Sequence, residues 1–309
     1  MELLENKKSK QLSPKEKAAE RKHLIQENMS HIKYKYLVLS GKGGVGKTTV
    51  ATNLAITLTE IGFAVGLLDA DIHGPDIPKM LGIENETFHT YEEGIIPVYA
   101  GHLLKVMSSA YFLKSKDDAV ILRGPLKHKL IAQLLSEVYW GVLDFLIVDL
   151  PPGTGDEALS VARLVSDVDG AIVVTTPQDV ALLDSRKAVN FVKKLNIPLV
   201  GVVENMSGFT CPYCHTSIDL FKKGGGEKAA REMQVPFLGR IPIEPEIVNR
   251  GDSGMPLTAS SDYPVITHAF EEICKEWNNL LEEKDIRSKQ PATSGRCYNE
   301  EDSYSFGRI

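Results

Sequence analysis

Residues Tyr36 to Ala55 read YLVLSGKGGVGKTTVATNLA, and the rest of the chain arranges itself around them. Strand character from Tyr36 to Ser40 runs into a glycine-rich turn, and the turn opens directly into a helix. Gly41, Gly46, Lys47 and Thr48 fit the phosphate-loop pattern G-x-x-x-x-G-K-[ST] in the strand–loop–helix setting that gives the pattern meaning. Gly41, Gly43, Gly44 and Gly46 can take positive φ, so the amides through Val45 and on to Thr49 can converge on phosphate oxygens. The helix beginning near Lys47 adds its positive end. Lys47 is placed to reach the β- and γ-phosphates, and the Thr48 hydroxyl to ligate Mg²⁺.

Lys42 puts a second lysine inside the loop, where an ordinary phosphate loop needs no charge. The spelling GKGGVGKTT resembles the deviant Walker A ATPases, among them nitrogenase iron protein, the MinD and ParA partitioning proteins and the Mrp-type iron–sulfur carriers. In that group the early lysine reaches across a dimer to the partner's nucleotide. The resemblance therefore implies a homodimer with Lys42 at the shared nucleotide, as a catalytic group beside Lys47.

Composition narrows the rest. A chain of 309 residues with 43% hydrophobic content suits one large α/β domain. A net charge of −6 and a pI near 5.8 argue against a nucleic-acid-coating protein. No apolar run of about 18 residues exists to span a membrane, and the N-terminus lacks a signal peptide's apolar core, which points to the cytoplasm. The four cysteines include one C-x-x-C pair, which suits a metal or redox site in a reducing compartment.

Residues 1–34 form a charged extension, with a solvated helix or floppy segment expected from Pro14 to Met29 behind a Ser13 N-cap. Residues 35–284 carry the ATPase domain. Strands are expected at 36–40, 65–69, 104–107, 145–149, 171–175 and 199–203, and helices at 47–61, 126–139, 156–168 and 179–195. Apolar runs such as FLIV and AIVV separated by helices indicate a mostly parallel sheet wound on both faces. Pro264 to Leu281 reads as a helix with Val265, Phe270, Ile273, Trp277 and Leu281 near one face, and the tail from 285 reads as disordered. Trp140 reads as packing.

Ligands of such sheets bind beyond the carboxyl ends of the strands, and the remaining candidates lie there. Asp69 and Asp71 end the second strand, where carboxylates can hold Mg²⁺ or orient the attacking water. Asp149 closes the strand Phe145–Val148 in the Walker B manner, and the following PPGTGD, with Gly153 and Gly155, reads as a switch loop. Asn205 ends a further strand; no guanine-type N-K-x-D signature is present, and an amide can both donate and accept. By resemblance to the deviant ATPases, Asp71 positions the water, Asp69 stands in the Mg²⁺ shell, and Asn205 reads adenine, so ATP is favoured over GTP.

Cys211 and Cys214 lie in MSGFTCPYCH with the spacing that lets two thiolates share one metal centre. A redox pair, structural zinc and an iron–sulfur cluster compete. Redox pairs favour a strand-to-helix junction of a small domain. Zinc needs two more ligands, where the chain offers only His215 and the distant Cys274 and Cys297. A four-thiolate cluster is satisfied by two chains facing each other across a twofold axis.

GKGGVGKTT, DADIHGPDIP, RGPL, LIVDLPPGTGD, VVENMSGFTCPYC, GGGEKAA, VPFLGRIPIEPEI and GDSGMP resemble, in order from about Tyr36 to Leu257, the Mrp-type (ApbC) ATP-binding iron–sulfur cluster carriers. The resemblance implies a [4Fe–4S] cluster between two subunits, ligated by Cys211 and Cys214 of each. It implies a slow ATPase that serves cluster transfer, received from an assembly scaffold and delivered to apo-proteins, with no role for nucleic acid or membrane. His215 stands where glycine is expected and reads as a surface residue. No cysteine precedes Cys211, so the N-terminal four-cysteine cluster of eukaryotic relatives is absent, and the chain reads as a minimal form. Cys274 and Cys297 read as spectators. A rival within the wider group is a MinD/ParA-like positioning switch, whose output would be membrane or DNA binding.

Overall fold

The strand that delivers the phosphate loop, β1 (Ile32–Ser40), is buried along almost its whole length, with parallel neighbours β7 (Leu143–Asp149) and β8 (Gly170–Thr175) on either side. The computed structural model describes residues 13–91, 94–112, 124–211, 214, 216–218, 220–256 and 263–283. Its main sheet has eight strands in the order β12-β9-β8-β1-β7-β2-β6-β5. The other members are β2 (Val65–Asp69), β5 (Val98–Ala100), β6 (Leu104–Ser108), β9 (Leu199–Glu204) and β12 (Phe237–Arg240). Every pairing is parallel except β5 on β6. Two small antiparallel hairpins, β3–β4 (His89–Tyr91, Gly94–Ile96) and β10–β11 (Phe209–Thr210, Ser217–Ile218), stand outside it.

Strand side chains alternate between faces, and both faces are apolar because helices cover both. Leu37, Leu39, Leu68, Leu146, Val148 and Val173 meet α1 (Pro14–Ser30), α4 (Gly124–Ser136), α5 (Asp156–Leu164) and α6 (Asp179–Lys194). Tyr36, Val38, Val65, Leu67, Ile147 and Ile172 meet α2 (Lys47–Glu60) and α9 (Pro264–Glu283). This is the doubly wound parallel sheet expected from the sequence.

The N-terminal helix corrects a detail of the sequence reading. Its start is as expected: Ser13 and Glu16 form a reciprocal cap, with Ser13 N donating to Glu16 Oε2 at 2.7 Å. Its second half is docked and not solvated, because Ile25 and Met29 bury side chains one turn apart. Asn28 Nδ2 then donates to the carbonyls of Leu135, Ser136 and Val138 at 3.2, 2.9 and 3.2 Å, satisfying groups that the end of α4 leaves open. Helix α4 stops at Ser136, short of the expected 139, because Val138 bridges Ile95 and the Tyr139 amide donates to the Ile95 carbonyl at 2.8 Å. In α9 the buried face is Ile266, Phe270, Ile273 and Trp277; Val265 points outward at 66% exposure, one residue off the stripe. Trp140 is buried as packing.

Candidate nucleotide site and cysteine hairpin

All the chemistry of the sheet gathers where β1, β2, β7, β8 and β9 end. After Ser40 the loop turns back under α2, with Gly46 as its N-cap at φ +79°, a left-handed conformation that a β-carbon would strain. Of the four loop glycines, only Gly44 and Gly46 take positive φ. Gly41 is required for a different reason: a β-carbon there would lie 2.1 Å from the Asp184 carbonyl oxygen of α6. Lys42 is half-buried, and its carbonyl accepts from Ser40 Oγ at 2.8 Å. Gly43 and Gly44 are exposed, and Val45 is buried beneath them. The Thr49 carbonyl accepts from Asn53 Nδ2 at 2.9 Å, inside the first turns of α2.

Lys47 is nearly fully buried, and its Nζ lies 2.6 Å from Asp149 Oδ2. Thr48 Oγ1 donates to the same carboxylate oxygen at 2.8 Å. Strand register brings Asp69 directly opposite Asp149 on β2 and β7, so two fully buried carboxylates stand side by side beneath the loop. Asp69 Oδ2 accepts from Ser108 Oγ at 3.0 Å. Burial pushes the Asp69 carboxyl well above its ordinary range, and the Asp149 charge adds to this while Lys47 opposes it. Burial also raises Asp149, against the pull of Lys47. Asp149 Oδ1 is buried with no hydrogen-bond partner. An unmatched carboxylate oxygen beside a threonine hydroxyl and a second carboxylate is a hard-oxygen set that fits Mg²⁺.

Asp71 is buried just beyond β2, and its Oδ1 accepts from the amides of His73 and Gly74 at 3.2 and 3.3 Å. The His73 ring joins a cluster that sequence reading missed. Lys127 Nζ lies 2.5 Å from both His73 Nε2 and Glu157 Oε1. The Lys127 ammonium holds the Glu157 carboxyl below its usual range. This cluster links the loop after β2 to the starts of α4 and α5. On the other side the Gly153 amide donates to the Ser40 carbonyl at 3.0 Å, which holds the segment after Asp149 against β1.

Asn205 is buried at the end of β9, and its Nδ2 donates to the Val45 carbonyl at 2.9 Å, inside the phosphate loop itself. Beyond it the chain runs along the loop after β12: Ser207 N donates to Ile241 O at 2.9 Å and Ile243 N to Gly208 O at 2.8 Å. It then enters the β10–β11 hairpin that carries the cysteine pair. Cys211 N donates to Thr216 O at 3.0 Å, and Cys214 Sγ lies 3.3 Å from Thr216 Oγ1. Cys211 is half-buried and Cys214 exposed. The Thr216 hydroxyl and then its backbone lower the Cys214 thiol, with Cys211 contributing after them. Cys274 is buried on the inner face of α9, its thiol pushed up to about 12 by burial. Among the described residues no group of three or more His, Cys, Asp or Glu is arranged to hold a metal ion. His215 and Cys297 lie outside the described residues. Glu204, the fully buried carboxylate that closes β9, was also missed. Its signal was the one that singled out Asp149: an acid at the end of an apolar strand.

Known proteins resemble this chain over most of its length. A family model described as ParA, NUBPL iron-transfer P-loop NTPase, matches residues 31–278. An iron–sulfur cluster carrier protein from Methanocaldococcus jannaschii is 53% identical over 75% of this chain and 80% of its own. A cytosolic Fe-S cluster assembly factor NUBP2 homolog from Nematostella vectensis is 49% identical over 75% and 87%. The solved nucleotide-binding protein in complex with ADP from Archaeoglobus fulgidus superposes with a TM-score of 0.69 at 36% identity, covering 78% of this chain and 95% of that one. The cell-division ATPase MinD of Pyrococcus furiosus shares the fold, with a TM-score of 0.59 at 24% identity over 80% and 99%. With the match running from the first strand of the sheet to its last helix, this chain belongs to the NUBPL iron-transfer family of P-loop NTPases.

Proposed function

We propose that this protein is an ATP-dependent iron–sulfur cluster carrier of the cytoplasm. It holds a [4Fe–4S] cluster between two copies of the chain and passes it to apo-proteins, having received it from an assembly scaffold. The observation that carries this reading is the pairing of a complete phosphate loop with two clustered thiols, the only such pair among the described residues, displayed on an exposed hairpin. A four-thiolate cluster then calls for Cys211 and Cys214 of two protomers. The names of the relatives at about half identity point the same way. Apolar surface on the segment after the hairpin and on α6 suits a second copy. Leu220 and Phe221 are exposed, as are Val180 and Leu183 on α6, and Lys222 Nζ sits 2.5 Å from Asp179 Oδ2 between them.

In this reading Lys47 leaves Asp149 for the β- and γ-phosphates, and the amides from Gly43 to Thr49 cradle the phosphate oxygens. Thr48, Asp149 and Asp69 hold Mg²⁺, which neutralises charge on the phosphates when bound. Asp71 orients the attacking water, fixed by the two amides it accepts. Lys42 reaches the nucleotide of the facing protomer. One N–H of the Asn205 amide is held by Val45 O, which leaves its Oδ1 to accept from the adenine amino group and its second N–H to donate to a ring nitrogen. Hydrolysis is slow, because among the described residues no strong base stands beside the phosphate loop.

The test is anaerobic reconstitution of the full chain, with iron and sulfide counted and mass measured by sedimentation. About two irons per chain in a brown dimer is expected, four irons over two protomers. A cluster held by a strictly monomeric species, or about four irons per chain, overturns the shared site.

A further inference from the structure

Glu204 has no exposed surface at all. A buried carboxylate is tolerated only where donors replace its water. Its donors come from the two sides of the cysteine hairpin. Ser207 Oγ donates to Oε1 from the segment entering the hairpin. Gly224 N donates to Oε1 at 2.8 Å, and Gly226 N donates to Oε2, from the start of α7 (Gly225–Glu232) that follows it. Arg240 Nε stands 3.9 Å from Oε1, and Arg240 is itself bonded to Glu227 of the same helix. One carboxylate therefore ties together both feet of the segment that contains Cys211 and Cys214. The next residue in the chain, Asn205, bonds the other way: its amide donates to Thr175 O at 2.8 Å and its side chain to Val45 O in the phosphate loop.

We propose that Glu204 is the positioning residue of the cysteine hairpin, and that the Glu204–Asn205 pair transmits nucleoside-triphosphate binding at the phosphate loop to the exposure of the two thiols. The proposal deepens the carrier reading, since it presumes that loop and thiols serve one cycle. Its physical content is short-range. The Val45 carbonyl belongs to a loop whose amides bind phosphate, so closing that loop moves the acceptor of the Asn205 amide. Asn205 cannot shift without Glu204, because their backbones are contiguous. Glu204 cannot shift without pulling Ser207, Gly224 and Gly226. A coupling of this kind is a difference in binding free energy between two arrangements, and it must act equally in both directions.

The experiment uses the full chain, cluster-free and reduced. Carbamidomethylation rates of Cys211 and Cys214 by iodoacetamide are read by peptide mass spectrometry, with and without magnesium and a non-hydrolysable ATP analogue. Buried Cys274 serves as internal standard. In the parent the analogue changes the Cys211 and Cys214 rates by about tenfold, toward the low end of the range for coupled sites. In Glu204→Gln and Ser207→Ala the analogue binds with parental affinity, and the rate ratio falls toward one. Ser207→Ala removes one tie and leaves the carboxylate matched, so the test stands even where Glu204→Gln folds poorly. A parental ratio in Ser207→Ala, or a parent whose thiols do not respond, overturns the proposal. A purely structural Glu204 would lower the melting temperature and leave the ratio intact. No cluster is present in this assay, so failure of reconstitution sinks the carrier reading without deciding this one.

Discussion

The phosphate-loop end of the sheet and the cysteine hairpin are linked through Glu204 and Asn205, yet they are built on opposite plans. At the loop, each group is fixed from several sides: Lys47 and Thr48 on one Asp149 oxygen, Asp69 in register beside it, Gly41 pressed against α6. At the hairpin, two strands of two residues each hold an exposed thiol and a half-buried one. A site that must bind the same phosphate chain each time gains from preorganisation. In the proposed carrier reading, a site that gives up its cargo gains from access. The difference separates a site fixed by many internal contacts from one held by few, and in the proposed reading it is the second that needs thiols from a partner copy.

The sharpest break of that contrast is at the hairpin. Cys211→Ala and Cys214→Ala are each expected to lose nearly all reconstituted iron while keeping parental ATP affinity, whereas Cys274→Ala keeps both. Iron content beside nucleotide titration reads this. Substantial iron in either hairpin variant would mean that other ligands hold the cargo.

At the loop, Lys47→Ala is expected to abolish productive ATP binding and to leave cluster reconstitution intact. Asp71→Ala should bind ATP normally and hydrolyse it about a hundredfold more slowly, the low end of what positioned proton-transfer groups contribute. Steady-state hydrolysis beside equilibrium binding separates the two. Parental turnover in Asp71→Ala would remove it from the water-positioning role.

Stability should follow the same divide. A β-carbon at Gly41 collides with backbone of α6, and overpacking of this kind costs about 1–3 kcal/mol. Gly41→Ala is therefore expected to lower the melting temperature by several degrees, at roughly 2–4 °C per kcal/mol for a domain of this size. Cys214→Ser, at an exposed position, should leave it within about 0.5 kcal/mol of the parent. Differential scanning calorimetry compares them directly.

How much of this was legible depended on whether the signal was local. The strands of the parallel sheet and the acids at their ends announce themselves, because a both-face-buried strand must be apolar until it reaches the site. Strand register then placed Asp69 against Asp149 without any sequence mark. The docking of α1 rests on Ile25 and Met29, too few apolar residues to read as a stripe, and on Asn28 meeting carbonyls more than a hundred residues away. The His73–Lys127–Glu157 cluster joins three segments, and no pattern within any one of them announces the contact with the others. Glu204 had a local signal, but its donors from Gly224 and Gly226 are a matter of tertiary packing.

The smallest expected effect is one of pH, and it separates the two regions most finely. Asp69 and Asp149 have folded-state pKa values above the ordinary carboxylate value of 3.8, with burial the leading cause in both. A carboxyl raised in the folded state holds its proton longer there than in the unfolded chain. Between 3.8 and the raised values the folded state binds more protons, so these two groups remove stability from the nucleotide-free protein as pH rises. Mg²⁺ competes with those protons, because a metal ligand must be deprotonated. The stabilisation given by magnesium and ATP is therefore expected to grow as pH rises through that window, with part of the growth lost in Asp69→Asn. Thermal melts with and without Mg²⁺–ATP, taken across the series for parent and variant, read the difference. The hairpin should stay silent in these melts, because it carries thiols, whose ordinary pKa of about 8.5 lies well above the carboxylate value, and Cys214 is exposed. Growth of the ligand effect with falling pH, or a pH response that survives intact in Asp69→Asn, would show that the paired carboxylates are not where the metal binds.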